Sequence, residues 1–155
     1  VIAALKEALD RGVEVRLILD INKDAFGNEK NGVPNKPVAD ELMSYEAPPE
    51  IRWYKSSGEQ YHSKFLMLET EDEVIFNGGS ANFTRRNLDD YNLETNMMVT
   101  APKDSDFSRQ VTRYYDTLWT NEGAEYTLDY EEEAEESLAK TVLYRIQESL
   151  GLSTF

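Results

Sequence analysis

The sequence predicts an α/β layered domain with a mixed sheet, and three observations support this prediction. Segments with helical and with strand periodicity alternate along the 155 residues, which is typical of layered α/β domains. The predicted strand at 13–19 ends in a continuous apolar run, as expected of a central parallel strand. The hydrophobic fraction is 40%, and a chain of this length buries about 70% of its unfolded surface in one core.

The first part of the chain contains two predicted helices and two predicted strands. Apolar residues recur at helical spacing up to Leu9, and Gly12 follows as a helix-ending residue. The strand at 13–19 comes next. A short helix is predicted for 37–45, because proline suits a first helical turn, and a strand for 51–54.

The loop at 20–36 contains a pattern that imitates a calcium-binding loop. Asp20, Asn22 and Asp24 have the spacing of its first ligands. The sixth position is Ala25, where glycine is needed, and the twelfth is Asn31, where a bidentate glutamate belongs. We therefore interpret the segment as an Asx-rich turn, and its length leads us to expect it near a functional site.

The second part of the chain contains three predicted strands and two predicted helices. The strands are at 62–68, at 73–77 after a polar turn, and at 94–99. A helix that ends at 119 has an aromatic face that we assign to core packing. A last amphipathic helix is predicted for 131–151, and it would pack on its own domain or on another half of a parent protein.

The stretch 61–99 concentrates the polar groups that could perform chemistry. His62 is the single histidine of the chain and precedes Lys64 by two positions, so in a strand both side chains share one face. A hairpin would return the 78–82 segment to that strand, and its glycines would let the backbone approach a bound group closely. The candidate site residues are His62, Lys64, Gly79, Ser80, Asn82 and Glu94.

These residues and their spacing resemble the signature of the phospholipase D superfamily. The motifs are His62-x-Lys64, an acidic residue at Glu69, Gly79-Ser80-x-Asn82 and Asn92-x-Glu94. The combined spacing is far more specific than any one piece, because a lone HxK occurs often by chance. One departure is Glu69, since the family usually has aspartate at this structural position of the strand end.

The resemblance covers residues 1–120 and implies a phospholipase D-like domain. Its fold would be a layered α/β/α sandwich with a mixed, mostly parallel central sheet, whose first strand would lie upstream of Val1. We assign 121–155 to an acidic linker and a C-terminal amphipathic helix, packed on the domain or on the missing half. We expect the chain to be the C-terminal half of a longer, two-motif protein.

Phosphodiester cleavage needs a nucleophile, an acid for the leaving oxygen, and donors to the phosphoryl oxygens. His62 could serve as nucleophile or acid, and Glu94 could hold one of its ring nitrogens. Lys64, Asn82 and the Ser80 hydroxyl would bind phosphate oxygens. The resemblance implies the same roles, a phosphohistidine intermediate, and neither a metal nor another cofactor.

A single imidazole cannot act as nucleophile and as leaving-group acid at once. The resemblance implies two such motifs that face each other across a twofold or pseudo-twofold axis. We therefore expect half an active site, completed by a second half of the parent chain or by a homodimer mate. The face bearing His62, Lys64 and Asn82 should then border an apolar surface.

The composition restricts the classes of substrate and partner but does not identify a single one. A uniform field from the net charge of −14 would repel nucleic acid and an anionic membrane surface. We expect a phospholipid or other phosphodiester substrate and keep nucleic acid as a possible but disfavoured one. Zero cysteines exclude a disulfide framework and a cysteine nucleophile. Charges interrupt the first 20 residues, so they form no signal peptide or membrane span, and localisation stays open. Besides an enzyme half-site, we keep two alternatives: an inert domain that binds phosphate, and a domain that mainly supplies an interface.

Overall fold

The computed structural model describes residues 1–21, 24–25, 28–29, 35–89 and 91–133, and the structure below is that of these residues. The elements in chain order are α1 (Ile2–Asp10), β1 (Arg16–Asp20), β2 (Asp24–Ala25), β3 (Asn28–Glu29), α2 (Asn35–Met43), β4 (Glu50–Tyr54), β5 (Phe65–Glu69), β6 (Glu73–Gly79), α3 (Arg85–Leu88), β7 (Asn96–Pro102), α4 (Asp106–Trp119), β8 (Thr127–Asp129) and α5 (Tyr130–Glu133).

The first sheet has the strand order β1-β4-β8 and lies between helices. β1 and β4 are parallel and β4 and β8 are antiparallel. On one face Trp53 and Ile51 pack with Leu42 of α2 in the buried core, against which α1 also packs. On the other face the guanidinium groups of Arg16 and Arg52 lie over the ring of Trp119 in α4. The predicted α/β/α layering is therefore present around this sheet.

The second sheet has the order β5-β6-β7 and is antiparallel throughout. Its first hairpin closes through the Thr70 amide, which donates to the Glu73 carbonyl at 2.9 Å. Helix α4 covers one face, where Phe107 meets Phe76 edge to face with ring centroids 5.8 Å apart. The register places Leu66 and Leu68 on the opposite face, and both are exposed.

The α/β class is confirmed, but the prediction of one mostly parallel central sheet is wrong for the described strands. They form two three-stranded sheets and the two-stranded hairpin β2–β3, with β1–β4 as their one parallel pair. A parallel pair needs a long crossover connection, usually a helix. The described chain has one such crossover, through α2, whereas the short turn between β5 and β6 makes them antiparallel.

Several boundaries also differ from the prediction. His62 and Lys64 precede β5 rather than lying within it, and Glu94 precedes β7. β8 was not predicted, although it pairs with β4 within the segment assigned to a linker. Most of the predicted 131–151 helix lies outside the described residues, as do Asn22 and Asn31 of the calcium-like pattern.

Candidate active site

The candidate residues gather where the second sheet ends. The Gly79 amide donates to the Lys64 carbonyl at 3.1 Å, and the Ser80 amide donates to the Thr95 carbonyl at 3.0 Å. These two bonds continue the pairing of the three strands beyond their last assigned residues. The residues before β5, after β6 and before β7 therefore become neighbours, as the predicted hairpin requires.

Gly79 is needed for this convergence. A Cβ atom at this position would lie 2.2 Å from the Thr95 carbonyl oxygen and 2.7 Å from the Asn96 Cα. Both neighbours are backbone atoms of the adjoining chain segment, and they cannot rotate away. We predicted that the glycine lets the backbone approach a bound group closely. In the structure it lets the backbone of the neighbouring segment at Thr95 and Asn96 approach closely instead.

The carboxylate of Glu94 is fixed by two side chains. The Ser80 hydroxyl donates to Oε2 at 2.5 Å, and the Asn87 amide donates to Oε1. The hydrogen bond from Ser80 and then that from Asn87 hold the pKa of Glu94 below its ordinary value. Asn92 and the positive charge of Lys64 act in the same direction, while desolvation opposes them. Glu94 is therefore ionised at neutral pH.

This arrangement differs from the predicted contact between Glu94 and His62. Both carboxylate oxygens have donors from the β6–α3 region, and within the described residues the His62 ring forms no hydrogen bond with Glu94. Ser80 is likewise engaged, because its hydroxyl oxygen also accepts from the Thr95 amide at 2.9 Å. Glu94 and Ser80 thus hold each other in place at the base of the site.

Asn87 is a site residue that the sequence analysis missed. It is buried, and the buried Thr84 donates its hydroxyl to the Asn87 oxygen at 2.8 Å. The Asn87 amide therefore points its nitrogen at Glu94, which completes a chain of hydrogen bonds from Thr84 to Ser80. Its local sequence of two arginines, asparagine and leucine is typical of a surface helix, so no signal marked it.

Three predicted residues, His62, Lys64 and Asn82, line one cavity of about 1080 Å³. The Lys64 ammonium donates to the His62 carbonyl at 2.8 Å, which fixes the cation beside the histidine. Burial lowers the pKa of Lys64, and the charge of Glu94 counteracts part of that effect. His62 itself is exposed and Asn82 is half-buried.

The segment that carries His62 is anchored to the first sheet. The Tyr61 amide donates to Asp20 Oδ2 at 2.5 Å, and the Tyr61 ring stacks on Tyr54 with centroids 4.4 Å apart. Asp20 ends β1 and Tyr54 ends β4. The histidine is therefore held at the junction of the two sheets.

Glu69 lies at the opposite end of β5 from Lys64. It pairs with Val74 in the hairpin, and its Oε1 is 2.5 Å from the Lys103 ammonium. The hairpin is complete with glutamate at this position. A structural role for Glu69 stays a prediction.

Two classes of feature are not found in the described segments. They contain no group of three or more His, Cys, Asp or Glu residues that could hold a metal ion. They also contain no helix with the length and hydropathy needed to cross a membrane.

Comparison with protein families places most of the chain in a described family. A family model described as "Cardiolipin synthase, PLD-like domain" matches residues 1–119, which is most of the chain. No curated protein matches the sequence. The matched region contains all of the candidate site residues and ends at the last residue of α4.

Proposed function

The chain belongs to the phospholipase D superfamily, and from that premise we propose that it supplies a half-site for phosphodiester cleavage or phosphatidyl transfer through a phosphohistidine. Members of this superfamily are generally phosphodiesterases. The observation that supports the proposal most is the shared cavity of His62, Lys64 and Asn82. It presents an imidazole, a cation and an amide donor to one space.

In the proposed reaction an imidazole nitrogen of His62 attacks phosphorus. The new P–N bond forms as the P–O bond to the leaving alcohol breaks, and an acid outside this half-site protonates the leaving oxygen. Water or an acceptor alcohol then gives its proton to that same outside group and attacks phosphorus, and the P–N bond breaks to release His62. Because the described structure gives the His62 ring no hydrogen-bond partner and leaves it exposed, the ring is accessible for that attack.

Lys64 would stabilise the charge that develops on the phosphoryl oxygens. Its backbone hydrogen bond to His62 keeps the ammonium close to the nucleophile, and ionised Glu94 favours the protonated amine in spite of burial. Asn82, which lines the same cavity, would donate a second hydrogen bond. Donors fixed before the reaction are worth more than donors that must reorganise during it.

We propose a phospholipid as the substrate. Phe83 and Leu88 line the same cavity as Asn82, and both are 44% exposed. Apolar side chains beside phosphate donors suit a molecule with a charged headgroup and hydrocarbon chains. The net charge of −14 disfavours a nucleic acid, whose affinity depends on neutralising phosphates along a backbone.

A second candidate is a domain that binds phosphate or a partner without turnover. The bond between Ser80 and Glu94 favours it, because these two predicted site groups are directed at each other rather than into the cavity. The absence of a second histidine from the chain is consistent with either candidate. Measured phosphodiesterase turnover distinguishes the two candidates, because only the first predicts it.

The test compares three variants, each in the assembly that contains both halves of the site, in an assay with labelled phospholipid vesicles and with bis-p-nitrophenyl phosphate; the half-site alone should be inactive. We expect His62→Asn to abolish turnover and Lys64→Met to reduce it about 10² to 10³-fold, the usual cost of losing one such donor. The matched control is Lys103→Met, which removes an exposed lysine of the same sheet that pairs with Glu69. Wild-type activity in Lys64→Met, or equal losses in Lys64→Met and Lys103→Met, would contradict the assigned role.

A mixing experiment tests the half-site. If two copies of His62 are needed in one site, an equal mixture of wild type and His62→Asn, refolded together, retains about one quarter of the activity of the same total amount of wild type. If each chain is paired with a different half, the mixture retains about one half. The first result supports a homodimer, and the second excludes it.

A further inference from the structure

The backbone around His62 is attached to a different sheet at each end. On one side the Tyr61 amide donates to Asp20 Oδ2 at 2.5 Å, and Asp20 is the last residue of β1 in the first sheet. On the other side the Lys64 carbonyl accepts from the amide of Gly79, the last residue of β6 in the second sheet, at 3.1 Å. His62 therefore lies on a short bridge between the two sheets.

This bridge belongs to a connection that has no helix or strand of its own. Residues 55–64 join β4 to β5 without regular secondary structure. Such a connection loses conformational entropy when it adopts one conformation, so side-chain and backbone contacts must compensate for that loss. The position of His62 therefore depends on the contacts at the two ends of the bridge.

The imidazole of His62 is not held by a carboxylate. Glu94, which could have held it, accepts hydrogen bonds from Ser80 and Asn87 instead. The ring is exposed, and no hydrogen bond joins it to another described residue. The ring is therefore placed by its own backbone, and any residue that fixes this backbone also fixes the nucleophile.

Asp20 is the residue best placed to fix it. Its side chain is buried, with an exposed fraction of 8%, and its own backbone carbonyl accepts from the Asn35 amide at 2.9 Å. The next strand places Tyr54 beside Asp20, and the Tyr61 ring stacks on the Tyr54 ring with centroids 4.4 Å apart. A hydrogen bond to a buried acceptor competes little with water. Asp20 thus offers a rigid attachment point directly before the histidine.

We propose that Asp20 is a positioning residue for His62, and that its bond to the Tyr61 amide sets the place of the imidazole relative to Lys64. The proposal rests on the proposed function, since this place matters for catalysis only if His62 attacks phosphorus. Asp20 acts through the backbone and touches no reacting atom. It also gives a role to the first residue of the calcium-like pattern, because its carboxyl group accepts from a backbone amide.

The first measurement does not depend on turnover. Asp20→Ala removes the acceptor of the Tyr61 amide, whereas Asp20→Asn keeps an oxygen that can accept. In ¹⁵N NMR relaxation of the chain, the order parameter of the His62 amide should fall from about 0.85 to below about 0.6 in Asp20→Ala and should stay near the wild-type value in Asp20→Asn. The signals of this residue are readily assigned, because the chain has a single histidine.

The matched control is Asp40→Ala. It also removes a carboxyl group that accepts a hydrogen bond near the first sheet, in this case from the Tyr130 hydroxyl at 2.8 Å, but it does not contact the bridge. The order parameter of His62 should therefore be unchanged in this variant. An equal fall in Asp20→Ala and Asp40→Ala would mean general loosening of the domain and would overturn the proposal.

The second measurement is the kinetics of bis-p-nitrophenyl phosphate cleavage in the assembly that contains both halves of the site. We expect kcat to fall about 10²-fold in Asp20→Ala, the cost of misplacing a reacting group by about 1 Å. KM should change little, because Lys64 and Asn82 still bind the phosphate. Asp20→Asn should restore most of kcat, and Asp40→Ala should retain both constants.

Two results would overturn the positioning role. One is an unchanged order parameter of His62 in Asp20→Ala. The other is a Tyr61 amide that exchanges with solvent at an unprotected rate in the unmodified chain, a measurement that does not require any variant to fold. Absence of turnover from the wild-type assembly would refute the proposed function instead, and the relaxation data would still decide whether Asp20 positions His62.

Discussion

The hydrogen bond between Thr84 and Asn87 should contribute measurably to stability. Both side chains are buried, with exposed fractions of 5% and 9%, and the oxygens are 2.8 Å apart. Asn87→Leu removes the acceptor of the Thr84 hydroxyl and leaves that hydroxyl buried without a partner. This costs roughly 1–3 kcal/mol. With a urea m-value on the order of 2 kcal/mol per M, the unfolding midpoint should fall by about 1 M.

A double-mutant cycle isolates this bond from other effects of the substitution. Thr84→Val combined with Asn87→Leu replaces both partners by apolar groups, which is nearly neutral for the Thr84–Asn87 pair itself. The hydrogen bond from Asn87 to Glu94 is lost in both variants that carry Asn87→Leu, so it cancels in the cycle. The double variant should therefore be more stable than the sum of the two single losses predicts. The matched control is Asn77→Leu, which removes an acceptor whose donor, the Asn96 amide, is exposed and 3.2 Å away.

Additive losses in the cycle would refute the reasoning, as would an equal effect at Asn77. Urea unfolding followed by circular dichroism gives the four free energies that the cycle needs. An NMR titration of Glu94 in Asn87→Leu provides a second measurement, because the lost donor should raise the pKa of that carboxyl.

Three more outcomes are expected. Gly79→Ala should lower the melting temperature more than Gly58→Ala, because a Cβ at Gly79 meets backbone whereas Gly58 has a positive φ but open space. The stability that Glu94 contributes should be present above the pKa of glutamate in the unfolded chain and should be lost as pH falls through the lower folded value. Ser80→Ala should move that loss to higher pH, as a carboxyl NMR titration would show. Ser105→Ala removes the acceptor that caps α4 and should cost about 1 kcal/mol in chemical unfolding.

Local patterns predicted most of the helices and strands and the proximity of His62, Lys64 and Asn82, while the catalytic roles of these residues stay a prediction. The spacing from Lys64 through Gly79 to Glu94 is that of three strands joined by turns. Short turns leave few ways in which these strands can pair. His62, Lys64 and Asn82 do share one cavity, and it has the expected apolar border at Phe83. These outcomes depend on residues close together in sequence or on one hairpin.

The features that the sequence did not predict depend on contacts between residues that are far apart in sequence or that act through a third residue. Strand order is decided by which edges meet, and periodicity contains no information on this, so the division into two sheets was missed. The direction of the Glu94 carboxylate depends on Asn87, whose own direction depends on the buried Thr84. Such a chain of contacts has no signature in composition or spacing.

The hydrogen bonds separate the site into a fixed part and an open part. Ser80, Glu94 and Asn87 are bonded to one another and to the backbone of the second sheet, so their variants should change stability. His62 and Lys64 face the cavity and share a single backbone hydrogen bond, so their variants should change function with little effect on stability. The fixed part can hold Lys64 charged before any substrate binds, because Glu94 is ionised by bonds that do not involve the cavity.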